Sequence, residues 1–89
     1  MLFEWDAAKH ERNLATRAIG FDDGALIFAG PVIEWWDHRH DYGEQRMRAV
    51  GMSGGTLLHV VYTDRPDTRR IISVRLASRK ERTLWLSRA

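Results

Sequence analysis

The chain has 89 residues, of which 44% are hydrophobic and 29% are charged. This composition indicates one small globular domain over residues 1–89 and excludes a disordered tail. The chain has no cysteine, which excludes disulfides, thiolate nucleophiles and thiolate-bound metals and is typical of a reducing compartment. No apolar run approaches the roughly 20 residues that cross a bilayer. We therefore expect a cytoplasmic protein that has no membrane partner.

Positive and negative charges are distributed unevenly along the chain. Residues 1–44 carry four basic and nine acidic side chains, a net charge of −5, whereas residues 45–89 carry ten basic and three acidic side chains, a net charge of +7. Twelve of the fourteen basic residues are arginine, whose planar guanidinium suits phosphate and base contacts. This asymmetry indicates a polyanionic partner for the second half, although a solvated basic face would have the same composition.

The first third of the chain predicts two helices. Asp6 can cap a helix over residues 7–17, and Gly20 would end it. Asp22 or Asp23 can cap a second, shorter helix that ends at the following Gly-Pro pair. We expect these two helices to form a hairpin.

The remainder of the chain predicts strands, because its apolar residues repeat with a period of two. The predicted strands cover Val32–Trp36, Gln45–Met52, Thr56–Thr63 and Arg69–Arg75. Their short connections make consecutive strands antiparallel neighbours. Ser78 and Glu81 have the spacing of a capping box, which predicts a final helix. The expected fold is therefore α+β, an N-terminal helical hairpin packed on a four-stranded antiparallel sheet with a C-terminal helix.

Alternation along the predicted strands assigns each side chain to one of two sheet faces. It places Tyr62 in the core, and it places Arg70 on the core side as well, where Asp64 or Asp67 would form an ion pair with it. The opposite face carries arginine, histidine, serine and threonine, and a ligand would bind there. His59 on that face is either a buried structural histidine or a proton donor.

Other motifs in the chain carry weaker signals. His38 and His40 are spaced as two metal ligands, but no third ligand follows from the spacing, and a polar solvent loop is the better explanation of them. We therefore expect no metal site, while a small metal-binding protein stays as an alternative. Trp35 and Trp36 must point to opposite faces of a strand, so one of them is expected at a protein interface.

Basic residues dominate the late strands and the final helix. This basic cluster comprises Arg46, Arg48, Arg65, Arg69, Arg70, Arg75, Arg79, Lys80 and Arg82. Cleavage of RNA requires no metal or cofactor, because the ribose 2′-hydroxyl can attack its own phosphate while arginines stabilise the added charge. A nucleic-acid or protein-binding module without catalytic activity fits the same charge.

Nearly the whole chain resembles a known protein family. The opening Phe3-Glu4-Trp5-Asp6 and above all the run over residues 70–82, which begins Arg-Ile-Ile-Ser-Val-Arg, resemble the BrnT toxins of bacterial type II toxin–antitoxin modules. The resemblance implies a ribonuclease with a RelE-like fold and no cofactor. It also implies a BrnA-like antitoxin encoded beside the toxin, through which alone the complex would contact operator DNA. Either a homodimer or a heterotetramer would agree with it.

The resemblance and the basic cluster together predict the site residues. We expect catalytic roles for Arg65, Arg75, Arg79 and Glu81, and RNA binding by Arg46, Arg48, Arg70, Lys80 and Arg82. Glu81 has two roles open, since its capping-box position is structural while its carboxylate could transfer a proton.

Overall fold

Five strands form one mixed sheet in the order β1-β5-β4-β3-β2. The structure is a computed structural model that describes residues 1–88. The strands are β1 (Leu2–Glu4), β2 (Val32–Trp36), β3 (Met47–Ser53), β4 (Thr56–Asp64) and β5 (Thr68–Leu76), and the α-helices are α1 (Ala7–Arg17), α2 (Phe21–Leu26) and α3 (Arg79–Leu86). A short 3-10 helix, Ile27–Ala29, follows α2. Within residues 1–88, no helix is long and apolar enough to cross a membrane.

The expected four-stranded antiparallel sheet is wrong, because β1 adds a fifth strand. β1 pairs with β5 in parallel, so that Leu2 lies beside Thr68 and Glu4 lies beside Arg70. Three residues are too few to show a period of two, and their pairing partner lies at the other end of the chain. Phe3 packs with Phe28 on the core side, with the ring centroids 5.8 Å apart.

The expected helical hairpin is also wrong. α1 has no buried residue, whereas α2 packs on β3, β4 and β5. The sequence of α1 lacks an apolar stripe, so this helix is held mainly by polar contacts. The Asn13 amide donates to the carbonyls of Ile19 and Val74 at 2.8 and 3.1 Å, and the Phe21 amide donates to Nδ1 of His10 at 2.9 Å.

The helix ends follow local chemistry, with two corrections. Asp6 caps α1 as expected, accepting from the Lys9 amide at 3.0 Å, but the C-cap of α1 is Ala18, which takes a left-handed φ of 58°, rather than Gly20. Gly20 is itself the N-cap of α2, and Asp23 accepts from the Gly20 amide at 2.8 Å. α3 begins with the predicted capping box of Ser78 and Glu81.

A β-bulge in β5 changes the face of one predicted site residue. The register between β4 and β5 shifts after the pair of Val61 with Ser73, since the next residue of β4 pairs with Ile71. Ile71 and Val74 therefore both lie in the same core. The bulge places Arg70 opposite Thr63, on the same face as His59. The prediction that Arg70 lies on the core side, which assumed strict alternation, is wrong.

The sheet has a hydrophobic cluster on each face. The helical face, covered by α2 and the 3-10 helix, holds Phe21, Ile27, Ala49, Leu58, Val60, Tyr62, Ile71 and Val74. The opposite face, covered in part by α3, holds Val50, Leu57, Ala77 and Trp85, with Ile33 and Trp35 packed against them. Tyr62 is 2% exposed, which confirms its prediction as a core residue, and Trp36 is the exposed member of the tryptophan pair at 48%.

Candidate functional site

Four charged or polar side chains converge on the face of the sheet that carries α3. This buried charge cluster consists of Arg48 from β3, His59 from β4, Arg75 from β5 and Glu81 from α3. His59 and Arg75 are cross-strand neighbours, which places their side chains on one face. Because α3 begins directly after β5, its first turn brings Glu81 over these strands.

Glu81 lies at the centre of the buried charge cluster and is 6% exposed. Both terminal nitrogens of Arg75 donate to its carboxylate, at 2.8 and 2.9 Å, and the Ser78 amide donates at 2.8 Å. Nη2 of Arg48 lies 3.5 Å from Oε2. Burial by itself raises the pKa of Glu81, but the hydrogen bonds from Arg75 and Ser78 outweigh it and lower the pKa to about 2. Glu81 is therefore ionised at neutral pH, and it orients two arginines.

His59 is the second buried group of the cluster, with 1% exposure. Its Nε2 accepts a hydrogen bond from Nε of Arg48 at 3.0 Å and lies 3.9 Å from Oε2 of Glu81. Its Nδ1 is buried and has no hydrogen-bond partner within residues 1–88. Burial, followed by the positive charge of Arg75, lowers the pKa of His59 to about 4. The imidazole is therefore neutral near pH 7 and acts as an acceptor that positions Arg48.

Two residues of the loop between β2 and β3 reach the edge of the cluster. Nε and Nη2 of Arg39 donate to the carboxylate of Asp37 at 2.8 and 2.9 Å, and Asp37 is 7% exposed. These hydrogen bonds from Arg39 lower the pKa of Asp37 well below its usual range. The charge of Arg39 also contributes to the lowered pKa of His59. The sequence analysis did not predict this ion pair, and the only sequence feature that indicates it is the spacing of two residues between the aspartate and the arginine.

The first turns of α3 present three exposed cations beside the cluster. Arg79, Lys80 and Arg82 are all exposed. No acidic side chain of residues 1–88 lies within ion-pair distance of any of them. Their charge therefore faces solvent without a counter-ion from the described chain.

The remaining predicted arginines lie away from the cluster. Arg65 and Arg70 share the carboxylate of Glu4, at 3.2 and 3.7 Å. Arg70 and Arg75 pair with β4 residues that are four positions apart, which corresponds to about 13 Å along the strand. Arg46 donates to Glu44 at 3.1 Å and stacks over the ring of Tyr42.

Arg69 differs from the other arginines because it turns to the helical face. Its guanidinium lies 4.1 Å from the ring centre of Tyr62 and 4.7 Å from that of Phe28, and it donates twice to Asp64. The basic residues are thus divided among separate groups, and within residues 1–88 only the arginines Arg48 and Arg75 meet at Glu81.

The histidine pair of the loop gains no further metal ligand from the fold. His38 and His40 line a cavity of about 700 Å³ together with Trp36 and Tyr42. Within residues 1–88, no group of three or more histidine, cysteine, aspartate or glutamate side chains is placed to hold a metal ion.

Comparison with known proteins identifies the family. No curated protein matches the chain. The family described as the ribonuclease toxin BrnT of type II toxin–antitoxin systems matches residues 5–81, a region that contains all four residues of the buried charge cluster and most of the sheet. The chain therefore belongs to the BrnT family, the ribonuclease toxins of type II toxin–antitoxin systems.

Proposed function

We propose that this chain is an endoribonuclease that cleaves RNA without a metal ion and is neutralised by a BrnA-like antitoxin. Its family supports ribonuclease activity and an antitoxin partner. The observation that carries the mechanism is the pairing of Arg48 and Arg75 around one ionised glutamate, next to the exposed cations of α3.

In the proposed reaction, the ribose 2′-oxygen attacks the adjacent phosphorus and the bond from phosphorus to the 5′-oxygen breaks. The products are a 2′,3′-cyclic phosphate and a 5′-hydroxyl. Solvent water takes the 2′-proton and supplies the proton of the leaving oxygen, since the pKa values of Glu81 and His59, about 2 and about 4, suit neither transfer near pH 7. Glu81 is thus a positioning residue in this mechanism.

Arg75 stabilises the negative charge that develops on the phosphate. A guanidinium has five N–H donors, and Arg75 directs three of them to Glu81 and the Leu76 carbonyl. Its side chain is 32% exposed, so the other donors can contact substrate. A cation held in place before the reaction needs little reorganisation when charge develops, which is the condition for effective electrostatic stabilisation.

The other predicted arginines bind RNA around this centre. Arg79 joins Arg75 at the scissile phosphate, and Arg48, Lys80 and Arg82 contact neighbouring phosphates. Arg65 and Arg70 keep one excess positive charge because they share a single glutamate. In this proposal they bind the RNA about 13 Å from the centre, and Arg46 binds it beside the start of β3.

The test is cleavage of an end-labelled RNA in the presence of EDTA. We expect the wild-type chain to produce 2′,3′-cyclic phosphate ends, and we expect Arg75→Ala to lower the rate by ~10²-fold or more, the loss that follows removal of one charge donor. Arg12→Ala on exposed α1 is the matched control and should change the rate by no more than about twofold. Thermal melting of each variant separates loss of activity from loss of folding.

Two outcomes would contradict the mechanism. A folded Arg75→Ala variant with normal activity would remove the arginine from the reaction. Loss of wild-type cleavage in EDTA, restored by a divalent cation, would replace the metal-free mechanism.

A binding module without cleavage is the second candidate. The observation in its favour is that neither buried ionisable group of the cluster titrates near neutral pH. This candidate predicts salt-dependent RNA binding by the wild-type chain and no turnover in any buffer.

A further inference from the structure

An apolar groove lies between α3 and the hairpin that joins β3 to β4. This α3 groove has a volume of about 310 Å³ and is lined by Met52, Gly55, Leu57, Arg82, Trp85 and Leu86. We infer that the α3 groove receives an acidic, amphipathic segment of the antitoxin, which then extends over the buried charge cluster. The inference deepens the proposed function, because it names the surface through which the toxin is neutralised.

The lining of the α3 groove suits apolar side chains of another protein. Leu57 and Trp85 form a buried floor, with 6% and 8% exposure, while Leu86 and Met52 form a rim that is 80% and 42% exposed. Burial of such surface is favourable, and an exposed apolar patch with a polar rim marks an interaction site. A phosphate backbone would gain nothing from the apolar side chains of this lining.

The charge around the α3 groove determines the chemistry of the segment. Arg79, Lys80 and Arg82 have no acidic partner within residues 1–88. Arg88 lies over the Trp85 ring, with its guanidinium carbon 3.4 Å from the ring centre. A segment that places apolar residues in the groove therefore meets cations on its outer side, and acidic residues there would be attracted and correctly oriented.

The position of the α3 groove explains how its occupant would block RNA. Trp85 follows Glu81 by one turn on the same face of α3, which separates them by about 6 Å along the helix. A segment anchored beside Trp85 needs one further turn to cover Arg75 and the exposed cations. The same cations would then be unavailable to phosphates.

A second apolar groove on the helical face lacks this charge complementarity. It is lined by Phe3, Leu26 and Phe28 together with Glu34 and Arg69. Both charged residues already have partners, since Tyr62 donates to Glu34 and Arg69 donates to Asp64. This groove therefore supplies the control surface for the experiment.

The experiment measures binding of the purified antitoxin from the neighbouring reading frame to the full-length toxin by calorimetry. Leu86→Glu and Met52→Glu each place a negative charge on the groove rim, and we expect each to weaken binding by ~10-fold or more. Leu26→Glu on the helical face should change the affinity by no more than about twofold. Leu86→Ala tests the apolar contact without adding charge, and melting curves confirm that each variant folds.

The inference is overturned if Leu86→Glu binds the antitoxin as the wild type does, or if only Leu26→Glu weakens binding. It is equally overturned if Leu86→Glu impairs RNA cleavage by the free toxin while antitoxin binding is unchanged, since RNA would then occupy the groove. Failure of the proposed function would give a different result from failure of the inferred docking surface. Absence of RNA cleavage by the wild type, together with weakened antitoxin binding by Leu86→Glu, would refute the ribonuclease mechanism and leave the docking surface standing.

Discussion

Glu81 combines a structural and an electrostatic role in one carboxylate. It accepts the Ser78 amide as the second half of the capping box, and it binds both terminal nitrogens of Arg75. The spacing of Ser78 and Glu81 predicts the first role from sequence alone, because a capping box is a local pattern. The second role depends on β5 and α3 meeting in space, which no local pattern contains.

Acid should lower the free energy of unfolding in two pH ranges, one set by the protonation of His59 and the other by the protonation of Glu81. The pKa of His59 is about 4 in the folded chain against an ordinary 6.5, so the unfolded chain binds this proton more readily and stability falls as the pH drops from about 6.5 to about 4. The pKa of Glu81 is about 2 against an ordinary 4.5. Its stabilising charge is therefore complete above pH 4.5 and is lost as the pH falls toward 2.

Urea unfolding of two variants across this pH range tests both assignments. His59→Gln should remove part of the loss in the upper window, and Glu81→Gln should flatten the lower one. Glu81→Gln should also cost about 3 kcal/mol at pH 7, because it leaves two arginines without their buried partner. Glu11→Gln on exposed α1 serves as the control. If both variants follow the wild-type curve, the two pKa assignments are incorrect.

At the scale of the elements, the absence of a side chain at Gly24 allows α2 to lie close against the sheet. A Cβ at Gly24 would lie 2.5 Å from Cγ2 of Val74 and 3.3 Å from Cγ2 of Val60. A glycine within a helix ordinarily lowers the stability of the helix by about 1 kcal/mol relative to alanine. Here the close approach of α2 to β5 explains why a glycine occupies this position.

Gly24→Ala should therefore destabilise the protein despite its better helix propensity. Overpacking against two buried, branched side chains costs about 1–3 kcal/mol, against a gain of about 1 kcal/mol in helix propensity, so chemical denaturation should show a net loss of up to about 2 kcal/mol. Gly30→Ala is the control, because no atom lies within 4 Å of its added Cβ. A Gly24→Ala variant more stable than the wild type would show that α2 can move away from β5.

Elements with strong local signals were predicted well, and elements with weak signals were not. The strand over Val32–Trp36 has the predicted bounds, and the other three predicted strands differ by at most two residues at an end. β1 was missed because its three residues gain their pairing from β5. The prediction of a helical hairpin was wrong because α1 has no apolar stripe that could pack against α2. The bulge at Ile72 was not predicted, because no sequence pattern marks it.

At the scale of the whole molecule, folding pairs some acids of the first half with bases of the second. Glu4 on β1 binds both Arg65 and Arg70, so part of the charge asymmetry is neutralised within the chain. Arg79, Lys80 and Arg82 remain without acidic partners in residues 1–88. Among the described residues of the second half, the cations without an acidic partner are therefore concentrated at α3, where the proposed function places the RNA.

Binding to RNA should depend on salt to a corresponding degree. With a 2′-O-methyl RNA, which cannot be cleaved by 2′-hydroxyl attack, a plot of log affinity against log salt should have a slope of about −2 to −4. Arg79→Ala should make the slope shallower by about 1, whereas Arg12→Ala should leave it unchanged. An affinity that does not vary with salt would contradict phosphate binding by the α3 cations.

The sequence by itself determined the later strands, the capped final helix and the basic character of the second half, because composition, period and capping chemistry are local properties. Only the tertiary structure decided which charges meet. Arg75 binds Glu81, Arg70 binds Glu4 and Arg69 turns to the other face, since one extra residue in β5 and the path of α3 set the direction of each side chain. Local patterns along the chain do not specify distances between its distant parts, and the chemistry of the site depends on those distances.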